Sequence, residues 1–283
     1  MTGALVRLRR YRSNASSTER ELIDRLVADP EKASGLSIHE LSRLCYTSPA
    51  TITRLCKKLG LQGYREFQQL LVYDLAILRD SERELVEDLG PADTTDQTIG
   101  KVLHGAITSL ETTSRLNSSS TYDVCVDLMR SARTINLFGM GASLMTARDL
   151  HYKLLRIGVA CNLVEDWHGQ LLCASNGGPD VLSIAVSYSG MTPEVNTCVQ
   201  RAKERGGKVV AISGFDFESK LVQIADIVLF VASNEPLMRS GAMASRISQL
   251  CVVDVLFKAF VNRDYDRYAE ILEENQIKKM AHG

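Results

Sequence analysis

Thr134-Ile-Asn-Leu-Phe-Gly-Met-Gly-Ala-Ser143 and Asp180-Val-Leu-Ser-Ile-Ala-Val-Ser-Tyr-Ser-Gly-Met-Thr-Pro-Glu194 decide the fold. Each opens as a short, β-rich apolar run, breaks at glycine and continues with helical spacing: a strand, a tight loop and a helix. The pattern recurs. A strand over 159–164 precedes a helix over 167–175, a helix over 193–205 precedes a strand over 208–213, and a strand over 227–231 precedes a long helix from Ser240. Alternating βα units predict a doubly wound, five-stranded parallel sheet. In the flavodoxin-like order 2-1-3-4-5, the first and third strands are neighbours at the switch point, where such sheets bind ligands.

The loops leaving those two strands have an anion-binding chemistry. Gly139 and Gly141 let the backbone approach a ligand closely, and Ser143 places a hydroxyl at a helix N-terminus. Ser187, Ser189 and Thr192 add three hydroxyls around Gly190, with Thr192 as the expected N-cap and Pro193 at the first helical position. Neither loop holds a lysine, which suits a single phosphate on a small sugar better than a magnesium nucleotide. Position 144 is Leu, so the dinucleotide fingerprint is incomplete. Either loop alone reads equally well as a tight turn; their placement on neighbouring strands is what favours a site.

Upstream, the chain is electrically different. Residues 1–70 carry 12 Lys/Arg and 7 Asp/Glu, a charge of +5, whereas residues 71–283 carry −6. The overall −1, which on its own argues against nucleic acid, is thus a basic head on an acidic body. The head holds short helical patterns. Leu22, Ile23, Leu26 and Val27 follow Ser16-Ser17-Thr18, with Pro30 closing that helix. A second helix starts at Ser37 with Ile38, Leu41, Leu44 and Cys45 inward, and Tyr46-Thr47 forms a turn. A third opens at Ser48-Pro49 and ends at Gly60, burying Ile52, Leu55, Cys56 and Leu59. Two short helices across a tight turn, after a preceding helix, predict an all-α helix-turn-helix domain.

Ser48, Thr51, Thr53, Arg54, Lys57 and Lys58 fall on the outer face of the third helix, and no acid occurs from Ser42 to Tyr64. Hydroxyls and Arg read base edges in a major groove, while Lys and a helix N-terminus hold phosphates, so double-stranded DNA is the expected partner. Any solvated helix carries cations, but the missing acids, the cap and the three-helix context favour DNA here. Arg7, Arg9, Arg10 and Arg12 in the leading segment are candidates for further backbone contacts.

Domain boundaries follow: a DNA-binding domain over 1–79, a linker over 80–98 marked by Gly90-Pro91 and Asp93-Thr94-Thr95-Asp96, and a ligand-binding α/β domain with a leading helix over 99–283. The seven scattered cysteines show neither a Cys-x-x-Cys nor a Cys/His cluster and read as reduced core thiols of a cytoplasmic protein, without a metal site. The apolar runs are far shorter than the ~18 residues a membrane span requires.

Taken together, four sets of residues resemble the RpiR (also called MurR/RpiR) family of bacterial transcription regulators, an N-terminal helix-turn-helix followed by a sugar isomerase (SIS) domain. They are Thr51-Ile-Thr-Arg-Leu-Cys-Lys-Lys-Leu-Gly60 with Gly63-Tyr-Arg-Glu-Phe67; Gly139-Met-Gly-Ala-Ser143 with Lys153-Leu-Leu-Arg-Ile-Gly158; Ser187-Tyr-Ser-Gly-Met-Thr192 with Glu194; and Ser245-Arg-Ile-Ser-Gln-Leu250 with Asp254. The resemblance covers nearly the whole chain. It implies that Ser143, Ser187, Ser189 and Thr192 contact the phosphate of a phosphosugar effector, that the effector changes DNA affinity, and that no cofactor is needed.

SIS domains also serve isomerases, so the alternative is a phosphosugar isomerase whose helical head serves assembly. Its proton shuttle would come from Glu165, Asp166, His168 or His151. With a DNA-binding head in front, Glu165 and His168 read instead as contacts to sugar hydroxyls, and Arg239 and Arg246 as cations near the phosphate. A helix-turn-helix reading two half-sites calls for a homodimer or homotetramer, with the helix over 241–261 or the 102–116 segment as its surface.

Overall fold

The computed structural model of the protein describes residues 3–82, 90, 92–232 and 243–275. They fall into two compact units, Met1–Lys101 and Val102–Gly283.

The first unit is helical: α1 (Ala4–Tyr11), α2 (Ser17–Ala28), α3 (Pro30–Gly35), α4 (Ile38–Leu44), α5 (Pro49–Lys58) and α6 (Tyr64–Glu82). Polar caps set most of the starts. Ser16 with Glu19 and Ser37 with Glu40 form capping boxes on α2 and α4, and Ser48 Oγ accepts the Thr51 N–H at 3.1 Å on α5. Gly60 ends α5 with φ +79°, and the Leu61 N–H returns to the Cys56 carbonyl at 3.0 Å. Leu8, Leu22, Ile23, Leu41, Ile52, Leu55 and Leu71 form the core.

Two expectations change in this unit. Pro30 does not merely close a helix; it opens α3, where Asp29 caps the Lys32 N–H at 3.1 Å. The arginine-rich leading segment is a helix that buries Leu5 and Leu8. The Asp74 carboxylate accepts the Leu5 N–H at 2.9 Å, and burial pushes its pKa up. Arg7 is turned into the fold, donating to the Leu59 carbonyl at 3.1 Å, whereas Arg12 pairs with the Asp24 carboxylate at the surface.

α6 runs to Glu82 and α7 (Thr95–Leu116) starts at Thr95, so helices enter the 80–98 segment from both sides.

The second unit continues with α8 (Ser119–Ser131), β1 (Thr134–Gly139), α9 (Ala142–Arg156), β2 (Cys161–Leu163), α10 (Trp167–Ser175), β3 (Val181–Ser187), α11 (Pro193–Glu204), β4 (Lys208–Gly214), α12 (Lys220–Ile224), β5 (Ile227–Val231), α13 (Met243–Asn262) and α14 (Tyr265–Glu274). The sheet is parallel throughout, in the order β2-β1-β3-β4-β5. That is the flavodoxin-like order expected. Alternate side chains of each strand face opposite layers. Ile135, Leu137, Ile184 and Ile212 pack under α8, α9 and α13, while Phe138, Ala185 and Ala211 pack under α10, α11 and α12. β2 is shorter than the 159–164 run. The long helix is described from Met243, so Arg239 lies outside the described residues.

All seven cysteines are free, and burial pushes the Cys56 and Cys125 thiols up to about 12, which keeps them unreactive. Among the described residues, no helix is long and apolar enough to cross a membrane.

Candidate functional site

Parallel register places Gly139, the last residue of β1, opposite Val186, one residue before the end of β3. The two hydroxyl loops therefore leave the sheet side by side at its carboxyl edge. Glycine at 139 is demanded by space: a Cβ there would lie 3.1 Å from the Ser143 carbonyl oxygen and 3.2 Å from the Leu144 Cα. Gln170 of α10, 1% exposed, clamps this residue from the other layer. Its Oε1 accepts the Gly139 N–H at 3.1 Å and its Nε2 donates to the Gly139 carbonyl at 3.0 Å. Gly141 follows with φ +55°, and Ser143 sits half-buried in the first turn of α9.

The second loop is built on Gly190, with φ +62°. A Cβ there would lie 2.4 Å from Ser219 Oγ and 3.1 Å from Ser213 Oγ. Its carbonyl accepts from the Leu221 N–H at 3.0 Å and Asn196 Nδ2 at 3.2 Å. Ser189 Oγ accepts the Met191 N–H at 3.2 Å, which leaves its own proton free to donate outward. Thr192 occupies the N-cap position of α11, but its side chain makes no capping bond. Its hydroxyl pairs instead with Ser187 Oγ at 3.0 Å, tying the two ends of the loop together.

The candidate carboxylates and histidines separate into different roles. Asp166 caps α10, accepting the Gly169 N–H at 2.9 Å. Glu165 is exposed and ion-paired with Arg148 of α9. His168 is exposed on the first turn of α10, its ring 5.0 Å from that of Trp167. His151 lies nine residues along α9, about 13 Å from its start at 1.5 Å per residue, with its Nε2 buried and unpartnered and its pKa lowered by burial. It is therefore remote from the loops. Arg246 is exposed on α13. A separate cleft of ≈ 290 Å³, lined by Arg133, Thr134, Asn136 and Val181 among others, opens at the amino ends of β1 and β3, the edge opposite the loops. Ligands of such sheets bind at the carboxyl edge, so the loops and not this cleft define the candidate site.

On α5, Ser48, Arg54 and Lys57 are exposed and Thr51 is half-buried beneath Arg54, whose Nη2 donates to Thr51 Oγ1 at 3.3 Å. Two members of the expected DNA face are engaged inside the unit. Thr53 Oγ1 donates to the Pro49 carbonyl at 3.0 Å, and Lys58 Nζ donates to Glu19 Oε1 at 2.7 Å. The acid missing between Ser42 and Tyr64 arrives from α2, 39 residues earlier, and pairs with Lys58, whose side chain is still half exposed.

Sequence reasoning passed over Gln170, Gln249, Ser213 and Ser219. The one available signal was a run of polar residues, Ser245, Ser248 and Gln249, on the inward side of a long helix that is otherwise apolar there; all three are buried.

A helical unit built around a helix-turn-helix and a parallel α/β unit with paired hydroxyl loops at its switch point define a transcription regulator with a ligand-binding domain. Residues 2–77 match the helix-turn-helix domain of the rpiR family, and residues 128–259 match the SIS domain. An uncharacterized HTH-type transcriptional regulator of Caldanaerobacter subterraneus subsp. tengcongensis is 31% identical over 273 residues, 96% of this chain and 95% of the relative. One from Bacillus subtilis is 32% identical over 266 residues, 94% and 93% of the two chains. Among solved structures, the Vibrio vulnificus NanR protein complexed with ManNAc-6P is 30% identical, covers 96% of both chains and superposes with a TM-score of 0.59. The sugar isomerase domain of an RpiR transcription factor from Sphaerobacter thermophilus, 22% identical, shares the fold of 63% of this chain and 97% of its own, with a TM-score of 0.58. The chain belongs to the rpiR family of helix-turn-helix transcriptional regulators.

Proposed function

We propose that this regulator binds operator DNA through α5 and that a phosphosugar held between the β1 and β3 loops sets its operator affinity. The observation that carries this reading is the side-by-side exit of two lysine-free, hydroxyl-rich loops from neighbouring strand ends, each running into a helix N-terminus. Ser143, Ser187, Ser189 and Thr192 contact the phosphate, and Gly139, Gly141 and Gly190 let the backbone approach it. Glu165 and His168 contact the sugar. The ManNAc-6P held by the related NanR supports this ligand class. On DNA, Arg54 and Ser48 read bases with Thr51, and Lys57 holds phosphate; Thr53 and Lys58 act from behind this face.

The protein works as a cytoplasmic homodimer or homotetramer, matching two half-sites. We read it as a sensor rather than an isomerase: Asp166 is committed to a helix cap, His151 lies away from the loops, and Glu165, ion-paired with Arg148, serves with His168 as a sugar contact. The test is a gel-shift titration of the DNA upstream of its own gene, with and without N-acetylmannosamine 6-phosphate and a panel of other phosphosugars. A ligand-dependent change in specific binding is expected. Absence of specific binding at moderate salt, or phosphosugar turnover lost on replacing Glu165 or His168, would overturn the reading.

A further inference from the structure

Ser143 does not stand alone in its loop. Gln249 of α13, 1% exposed, donates from Nε2 to Ser143 Oγ at 3.2 Å and accepts at Oε1 from Thr146 Oγ1 at 3.1 Å. The direction of this chain follows from Thr146. Its side chain is 0% exposed, and Gln249 is its hydrogen-bond partner among the described residues. With the amide reversed, Nε2 would donate to Thr146, and the buried Thr146 proton would lose the acceptor it has in Gln249 Oε1. The amide is therefore held with its nitrogen toward Ser143. A serine oxygen that already accepts a bond has its proton left to give.

We propose that Gln249 is a positioning residue of the effector site: fixed by Thr146, it keeps the Ser143 hydroxyl pointing its proton at the ligand phosphate. Thr146 turns Gln249, Gln249 turns Ser143, and Ser143 donates to the anion. The relay rests on the phosphosugar reading and adds to it a buried group on a helix 106 residues away that touches no ligand. It also sets a requirement: position 249 must donate, so a side chain that only accepts would capture the Ser143 proton.

The test is calorimetry on the full-length protein with N-acetylmannosamine 6-phosphate, N-acetylmannosamine and inorganic phosphate as probes. Gln249→Met should weaken binding of the phosphorylated probe by about tenfold, the value of one hydrogen bond to a charged group, and leave the unphosphorylated sugar unchanged. Gln249→Glu, of the same size, should lose more. In a Ser143→Ala background, Gln249→Met should cost no further affinity, because it acts through that hydroxyl. Should Gln249→Met melt below the assay temperature, the isosteric Thr146→Val, which frees the amide to turn, carries the same expectation.

Equal losses for the phosphorylated and unphosphorylated sugars, or an undiminished loss in the Ser143→Ala background, would overturn the relay while leaving the phosphosugar site standing. A wild-type protein that holds neither the phosphosugar nor inorganic phosphate would overturn the site and the relay together.

Discussion

Asn117 pairs with both backbone groups of Phe230: its Oδ1 accepts the Phe230 N–H at 2.8 Å and its Nδ2 donates to the Phe230 carbonyl at 2.7 Å. One amide side chain thus stands in for the strand that β5, at the end of the sheet, lacks on its outer side. Thr113 Oγ1 extends the cover by accepting the Ala232 N–H at 2.9 Å. An open edge strand offers unpaired N–H and C=O groups to other chains. Asn117→Ala should cost about 2–4 kcal/mol, because two buried backbone groups lose their partners. Urea unfolding of the second unit should show it, with added aggregation near the midpoint. A loss under 1 kcal/mol would mean water replaces the amide.

Lys57 and Lys58 are neighbours on α5 with different expected effects on DNA. Lys57 is exposed, whereas the Lys58 ammonium is held by Glu19. Lys57→Ala should weaken operator binding uniformly and lower the salt slope of log K by about 1. Lys58→Ala should leave the slope nearly unchanged. Arg54→Ala should weaken the operator by about 1–3 kcal/mol if it reads a base, with a smaller effect on unrelated DNA. Equal slopes for the two lysine variants would return Lys58 to the DNA face.

The same ion pair makes the first unit acid-sensitive. Glu19 has its pKa lowered, first by the hydrogen bond from Lys58 and then by the Ser16 N–H. A carboxyl with a depressed folded-state pKa stabilises the fold above its unfolded value of about 4.3, and that contribution is lost as pH falls through the folded value. Backbone hydrogen exchange of α2 and α5 should therefore quicken as pH drops below about 4.3, after correction for intrinsic rates. Glu19→Gln should be less protected than wild type at neutral pH and match it in acid. Equal protection at neutral pH would show that the pair adds nothing.

The two loop glycines separate strain from collision. Gly141 has φ +55° with open space where a Cβ would go, whereas Gly190 has φ +62° with Ser219 Oγ only 2.4 Å from that position. Gly141→Ala should cost about 1–2 kcal/mol for the backbone alone. Gly190→Ala should cost about 2–4 kcal/mol, since the Ser219 side must also shift. The chain has one tryptophan, Trp167, in the second unit, so its fluorescence follows urea unfolding there. The reverse ranking would show that the Ser219 segment yields easily.

What could be read from sequence was whatever is coded locally. The parallel sheet followed from the alternating strand and helix runs, and its flavodoxin-like order set the glycine and hydroxyl loops after the first and third runs side by side. The ends of α4 and α5 followed from Ser37, Ser48 and Gly60, because caps act within four residues. Partners distant in sequence were not legible. Glu19 reaches Lys58 across 39 residues and Gln170 reaches Gly139 across 31. No periodicity marks such pairs. The helicity of α1 escaped for the same reason, since the Asp74 carboxylate that caps it lies 69 residues away from Leu5. Thr192 has the right identity and place for an N-cap, yet Ser187 stands close enough to take its hydroxyl.

Ser189 gives the sharpest test of the loop chemistry. Its oxygen accepts the Met191 N–H, so its proton is directed away from the loop backbone. Ser187 and Thr192 share one bond between them, and removing either leaves the other to re-pair. Ser189→Ala removes a single outward donor from a half-buried position that the Gly190 turn holds in place. Its effect should fall on the phosphate, because a hydrogen bond to a charged group is worth about 1.5–3 kcal/mol against 0.5–1.5 for a neutral one. Calorimetry should show at least tenfold weaker binding of a phosphosugar, about 1.4 kcal/mol, with little change for the parent sugar. An equal loss for both would place Ser189 against the sugar ring, and Ser143 and Ser187 would then hold the phosphate without it.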